Sequence, residues 1–512
     1  MVARINTVTF EGVDVQPVDV QVQIAKGMPS FSIVGLPDKA VAESKERVRS
    51  ALHALGISMP SKRVTINLAP ADIAKEGSHY DLPIALGLLA AMDILPADTL
   101  ANFVVMGELS LDAALRPVAG TLPAAMHAVA NDKGMICPKQ SGNEARWAGE
   151  LDILAPDNLI QIVNHMKGAQ LLPQPDALPD LLPDAASDQD NDAATTALQQ
   201  DLSALKGQET AKRALEIAAA GGHNILLSGP PGAGKSMLAG CLPGILPPLT
   251  SREALETSMV HSVAGTLPAG GLVRQRPFRD PHHSASLPAL VGGGHKANPG
   301  DISLAHNGVL FLDELPEFSR ATLESLRQPL ETGKAVISRA NHHVTYPARF
   351  QLIAAMNPCK CGFLGDAKKQ CVKAPACARD YQMKLSGPLL DRIDLFVDMP
   401  AVEIRDLSGD TPSGEKSAVV ARRVLTARQA QYERQGTLNA HIPAAEIDHH
   451  IRLADDARAF LLRSAEKLGI SARGYHRLLR VARTIADLNH GETTVTQADI
   501  AECLGYRSSL SG

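Results

Sequence analysis

The chain has 512 residues, 45% hydrophobic but only 3% aromatic, and a formal net charge of −5. That length predicts about three domains, with cores of Ala, Leu, Ile and Val, and the mean acidity argues against a uniformly basic nucleic-acid binder. No leader is read after Met1, Leu82–Met92 is too short to cross a bilayer, and seven cysteines in so long a chain are no disulfide scaffold, so a soluble, cytoplasmic protein without a membrane partner is expected.

Residues 1–167 alternate strands and helices. Val13–Ile24 alternates apolar and polar side chains, the mark of a half-buried strand. Asp38–Leu55 reads as an amphipathic helix capped by Asp38, Arg63–Leu68 as a β-branched strand, Leu82–Met92 as a buried helix and Phe103–Met106 as a further strand. An α+β or α/β domain is predicted. Residues 168–204 are rich in Pro, Asp, Ala and Gln and carry seven Asp but no Lys or Arg, which predicts a flexible acidic linker. Without that segment the chain is net +2, so its mean acidity is the linker's. Residues 205–400 form a second α/β unit. Its strands, Asn224–Leu227, Val309–Leu312 and Gln351–Ala355, are unbroken apolar runs, as in a parallel sheet with helices on both faces. Residues 401–512 turn helical (Ala418–Tyr432, Tyr475–Leu488) and predict a small all-helical domain.

The strongest chemical signal is Gly229-Pro230-Pro231-Gly232-Ala233-Gly234-Lys235-Ser236, with a strand leading in and a helix leading out from Met237. This is G-x-x-x-x-G-K-[ST]: glycines turn backbone N–H groups onto phosphates at a helix N-terminus, Lys235 reaches the β/γ-phosphates, and Ser236 holds Mg²⁺. Asp313 and Glu314 end the apolar strand Val309–Leu312, where ligands of open α/β sheets bind. Asp313 suits Mg²⁺ and Glu314 the polarisation of a water. Asn357, at the end of a third strand, is placed to bond a γ-phosphate or that water.

These elements, in this order, resemble an AAA+ ATPase. Pro299–Gly308 runs into the carboxylate strand much as in the magnesium-chelatase and MCM-helicase branch, which places a helix-2 insert within 258–307. Leu385–Asp394 looks like that branch's arginine-finger motif, with Arg392 acting in trans, and Ser471-Ala472-Arg473 is similar to its sensor 2. Phe31–Pro37, Asn67–Asp72, Arg279-Asp280-Pro281-His282-His283-Ser284 and Val291–Gly294 extend the resemblance along most of the chain to the ComM/YifB family of magnesium-chelatase-like AAA+ ATPases. That resemblance implies ATP and Mg²⁺ as cofactors and a homohexameric ring. It also implies helicase action on single-stranded, forked or branched DNA, with branch migration as transforming DNA is integrated. A metal-chelatase subunit and an ATP-driven protein-remodelling factor remain the alternatives.

The N-terminal domain, Gly107–Leu111 and Arg116–Gly120 above all, is similar to the proteolytic domain of Lon. The nucleophile position falls near Asp81 and the lysine position near Leu122, with Ser78 close by, so a non-proteolytic use of that fold is expected. Cys359, Cys361, Cys371 and Cys377 can close a tetrahedral zinc site, free thiols being the alternative. Val336–Tyr346 reads as a hairpin. In the related helicases a hairpin here enters the ring pore, which makes Arg339 and nearby Lys334 candidates for gripping DNA phosphates, with Arg274, Arg276, Arg279 and Lys296 of the insert. His282 and His283 read as hydrogen-bonding loop residues rather than metal ligands.

Overall fold

The computed structural model describes residues 2–175, 200–268, 271–294, 297–339, 342–362, 364, 371, 375–402, 414–489 and 494–507. In the N-terminal domain β1 (Val2–Glu11) and β2 (Asp14–Ala25) form a long antiparallel pair, in which Val18, Val20 and Val22 are buried. β3 (Ser30–Val34) crosses over through α1 (Lys39–Ala54) to lie parallel to β4 (Arg63–Ala69). Asp38 caps α1 by accepting the Val41 N–H, and Val41, Val48, Ala51 and Leu52 form its buried face. Helix α2 (Asp81–Ala91) is buried all round. β5 (Phe103–Val105), α3 (Thr121–Ala130), β6 (Gly134–Ile136), α4 (Lys139–Arg146) and β7 (Ile153–Leu154) complete a seven-stranded sheet of order β3-β4-β2-β1-β5-β6-β7.

The second unit runs α5 (Glu209–Gly221), β8 (Ile225–Ser228), α6 (Lys235–Ile245), α7 (Ser251–Ala264), β9 (Phe278–Arg279) and β10 (Val309–Leu312). A hairpin follows, β11 (Lys334–Arg339) with β12 (His342–Pro347), then β13 (Gln351–Met356), α8 (Ala376–Gln382) and β14 (Leu395–Asp398). The five core strands are all parallel, in the order β9-β10-β13-β8-β14. β9 narrows the expected insert: residues 278–279 belong to the core sheet, so the insert begins only after them. Two residues are too few to show a periodicity.

The C-terminal helices α9 (Ser417–Gln435), α10 (Asp455–Lys467), α11 (Ala472–Asn489) and α12 (Gln497–Gly505) share one core with this sheet. The expected all-helical domain also holds a parallel pair of two-residue strands, Arg452–Leu453 and Thr494–Val495. A buried helix end explains much of the docking. The last carbonyls of α5 would be orphaned, but Gln351 Nε2 donates to Ala218 O at 2.8 Å, Arg428 Nε to Ala219 O at 2.8 Å and Gln431 Nε2 to Ala220 O at 3.1 Å.

Most of the predicted linker, residues 176–199, lies outside the described residues. Its C-terminal flank is folded: the Asp201 carboxylate accepts the Ser203 and Ser417 N–H groups, and Leu202 is in the core. Asp201 is therefore a cap rather than a linker charge. The N-terminal domain docks on α7, where Ser262 Oγ donates to Glu144 and the Gly120 N–H to Ser262 O at 3.0 Å. Burial raises the Glu144 carboxyl above its ordinary range, and its bonds from Ser262 and the Leu122 N–H partly oppose that rise. Among the described residues no helix is long and apolar enough to cross a membrane.

Candidate active site

The phosphate loop joins β8 to α6. Gly229 is packed so closely that a Cβ would stand 2.4 Å from Met399 O, and Gly234 takes φ +89° immediately before α6 begins. The Lys235 side chain turns back over the loop. Its ammonium, 7% exposed as a residue, donates to Gly229 O at 2.6 Å, Pro230 O at 3.0 Å and Asn357 Oδ1 at 3.1 Å. Burial lowers its pKa, and the Asp313 and Glu314 carboxylates pull it back up.

The sheet order sets β10 and β8 on either side of β13, so residues far apart in sequence meet at the strands' C-terminal ends. Ser236 Oγ donates to Asp313 Oδ2 at 2.9 Å, and Asp313 Oδ1 accepts the Glu314 N–H at 2.8 Å. Ser236 and Asp313 thus offer two hard oxygen ligands to one point, the donor set Mg²⁺ takes beside a phosphate chain. Glu314 adopts φ +50°, ψ 46°, an uncommon backbone for a non-glycine residue. Its carboxylate lies 3.3 Å from His283 Nδ1. Lys235, Ser236, Asp313, Glu314 and Asn357 therefore converge.

Two arginines stand apart from that cluster. Arg392 follows the short helix Gly387–Leu390; it donates to Glu331 Oε2 and, at 2.6 Å, to Pro388 O. Arg473 is exposed in the first turn of α11, which Ser471 opens by accepting the Gly474 N–H. One turn on, the nearly buried Arg477 reaches the loop that carries Arg392, donating to Asp391 Oδ1 at 3.0 Å and Ile393 O at 2.9 Å. Sequence reading missed Arg477, although its spacing of four from Arg473 puts both on one helix face.

Several residues expected at DNA have partners within the chain. Arg276 donates to Pro247 O at 2.7 Å and Asn307 O at 2.7 Å and pairs with Glu253, while Arg279 pairs with Asp301 at 2.6 Å. Arg276 ties the segment before β9 to Glu253 of α7, and Arg279, in β9 itself, ties that strand to Asp301; a count of charges does not reveal such partners. Lys334 is exposed but pairs with Pro347 at the hairpin's base, the end away from its tip. The Arg339 side chain and Lys296 lie outside the described residues, while Arg274 is exposed.

In the N-terminal domain the residues at and near the expected nucleophile and lysine positions have other partners. Ser78 Oγ donates to Glu108, and Lys75 Nζ donates to the carbonyls of Pro70 and Ile73. Asp81, at the nucleophile position, is fully buried against Arg47 at 2.6 Å, and Leu122 packs with Trp147 and Leu272. Serine and lysine each have other partners. The four cysteines do converge: the sulfurs of Cys359, Cys361, Cys371 and Cys377 all lie within 4.8 Å of one another.

A phosphate loop, a carboxylate strand and a polar-ended third strand in this parallel order, under a helical lid, define a AAA+ ATPase of the magnesium-chelatase type. The family described as "Magnesium chelatase, subunit ChlI" matches residues 201–407, "Subunit ChlI of Mg-chelatase" residues 20–141, and "Magnesium chelatase, subunit ChlI C-terminal" residues 414–507. The chain is 46% identical over 499 residues to Competence protein ComM of Haemophilus influenzae, covering 98% of this chain and 96% of that one. It is 44% identical over 504 residues to YifB of Escherichia coli, with 98% and 96% covered. The Magnesium-chelatase 38 kDa subunit of Rhodobacter capsulatus is 26% identical over 310 residues, 55% of this chain and 85% of that one. The chain belongs to the ComM/YifB family of magnesium-chelatase-like AAA+ ATPases.

Proposed function

We propose that this ATPase is a ring-forming DNA motor that drives branch migration during integration of transforming DNA, working as a homohexamer. The observation that supports an ATP-driven motor is the convergence of Lys235, Ser236, Asp313, Glu314 and Asn357 while Arg392 is held by Glu331 and Pro388 O outside that cluster, as a residue serving a neighbour's site would be. The DNA substrate rests on near full-length identity to a protein named for competence. Ser236 and Asp313 would hold Mg²⁺, which supplies charge neutralisation on the phosphates when bound. Gly229–Met237 bind the nucleotide, Lys235 exchanges its carbonyl partners for β/γ-phosphate oxygens, and Asn357 orients the γ-phosphate end. Glu314 takes the proton of the attacking water. Arg392 and Arg473 serve the transition state at a subunit boundary. Arg339 contacts DNA phosphates, whereas the base position of Lys334 gives it a lesser part. Cys359, Cys361, Cys371 and Cys377 hold a structural zinc ion.

Turnover measured with and without single-stranded or forked DNA tests the substrate. Stimulation of about threefold or more, fading as salt rises, is expected, together with strand exchange on a four-way junction. No stimulation and no ATP-dependent DNA binding would remove DNA from the reading. The matches to magnesium-chelatase subunits favour a second reading, a chelatase-type ATPase subunit; turnover that responds to a porphyrin and not to DNA would select it.

His283 gives a further prediction. A solvent-exposed ion-pair contact of this kind is worth about 0–1 kcal/mol. His283→Ala frees Glu314, so basal turnover is expected to rise by up to about fivefold with ATP affinity unchanged. Equal turnover in phosphate-release assays would make the contact incidental.

A further inference from the structure

We infer that the four-cysteine site is part of the nucleotide site: its metal ion fixes the strand end carrying Asn357 to helix α8 and seats the Cys359–Gly362 turn on the phosphate loop. This rests on the reading of the cysteines as a zinc site. Four thiolates about 2.3 Å from one zinc ion stand about 3.8 Å apart in a tetrahedron, which the observed spread within 4.8 Å meets after small adjustments. Cys359 is fully buried, and its sulfur is 3.2 Å from that of Cys361.

Two of the ligands belong to different elements. Cys359 lies three residues beyond β13, and Cys377 lies in the first turn of α8. The other end of α8 returns to the nucleotide site. The nearly buried Tyr381 lies beside Asn357: burial raises its hydroxyl pKa, and the Asn357 backbone N–H partly opposes that rise. Gln382 Nε2 donates to Pro358 O at 3.4 Å. One short helix thus carries a metal ligand at its start and bonds the strand end just after Asn357 at its other end. Asn357 Oδ1 in turn accepts from the Lys235 ammonium at 3.1 Å.

The second link is the turn between the first two cysteines. The Gly362 N–H closes it onto Cys359 O at 2.9 Å, and Gly362 takes φ +80°. A Cβ on Gly362 would stand 2.7 Å from Pro231 Cδ and 2.9 Å from Pro231 Cγ. Pro231 is the third residue of the phosphate loop, so the turn lies on that loop at backbone distance. Without a cation, four thiolates this close repel one another. Both the α8–Asn357 contact and the turn–Pro231 contact then lose their common anchor. The inferred consequence is weaker nucleotide binding, with the sheet and lid intact.

The test uses the full chain, elemental analysis for zinc and a fluorescent ATP analogue for affinity. Protein purified without chelator is expected to hold about one zinc ion per chain. Stripping with a zinc-selective chelator, in excess Mg²⁺, is expected to weaken nucleotide binding about tenfold or more, and zinc alone to restore it. Cys371→Ser should reproduce the loss. Gly362→Ala should retain zinc yet bind nucleotide more weakly, through the clash with Pro231; this variant decides the matter if Cys371→Ser fails to fold. Zinc present, with unchanged affinity both after stripping and in Gly362→Ala, would overturn the inference and leave the metal site standing. Less than about half an equivalent of zinc would overturn the metal site and the inference together.

Discussion

Glu314→Gln is expected to leave ATP binding intact and to cut turnover by about 10²–10⁴-fold, the range a positioned general base supplies. Gln keeps the size of the side chain and an acceptor oxygen but cannot take a proton. The binding groups are untouched: Ser236 bonds Asp313, and Lys235 bonds the loop carbonyls and Asn357, none of them through the Glu314 side chain. Affinity measured by a fluorescent nucleotide should therefore match the parent, while phosphate release falls. Asp313→Asn is the informative contrast. Asp313 Oδ2 meets Ser236 Oγ at 2.9 Å, so neutralising it weakens the Mg²⁺ ligand set and affinity falls with turnover. Normal turnover in Glu314→Gln would move the base elsewhere, and the His283 contact at 3.3 Å would then have no catalytic partner.

The parts of this site that were legible in sequence are those whose chemistry fixes residue type at fixed spacing. A loop that turns its N–H groups onto phosphates needs Gly229, Gly232 and Gly234 around Lys235 and Ser236. A carboxylate pair at a buried strand's end leaves the pattern of Val309–Leu312 followed by Asp313 and Glu314. Core strands β9 and β14 were not legible, one being two residues long and the other short and polar-ended. Arg276 and Arg279 read as free cations because nothing local reveals Glu253 or Asp301 as their partners. Arg477 and Tyr381 were missed because their roles exist only across the fold, 86 residues from Asp391 in the first case. The four cysteines were readable as a group. Their closeness to Pro231 was not, since Gly362 and Pro231 meet only when β13 and β8 pair.

Arg392→Ala is expected to abolish most turnover while leaving nucleotide binding intact, by up to the roughly 10³–10⁵-fold that a trans-acting arginine contributes in phosphoryl transfer. In the isolated chain Arg392 is held by Glu331 and Pro388 O, outside the cluster around Lys235. A role in trans makes a sharper demand than the loss itself. In a ring with head-to-tail interfaces, each site takes its base from one subunit and its arginine from the next. Two inactive chains, Glu314→Gln and Arg392→Ala, should therefore recover activity when mixed. About one quarter of sites in a randomly mixed ring pair an intact glutamate with an intact arginine. An arginine acting within its own chain would give no recovery at any ratio. Arg477 separates positioning from chemistry in the same assay. Its bonds to Asp391 Oδ1 and Ile393 O brace the finger loop from the lid helix. Arg477→Ala should lower turnover less than Arg392→Ala, and mixing with Glu314→Gln should again raise it. Arg477→Lys, which keeps the charge but loses the planar fork, should be intermediate, because one compact ammonium cannot span the two groups that separate guanidinium nitrogens reach.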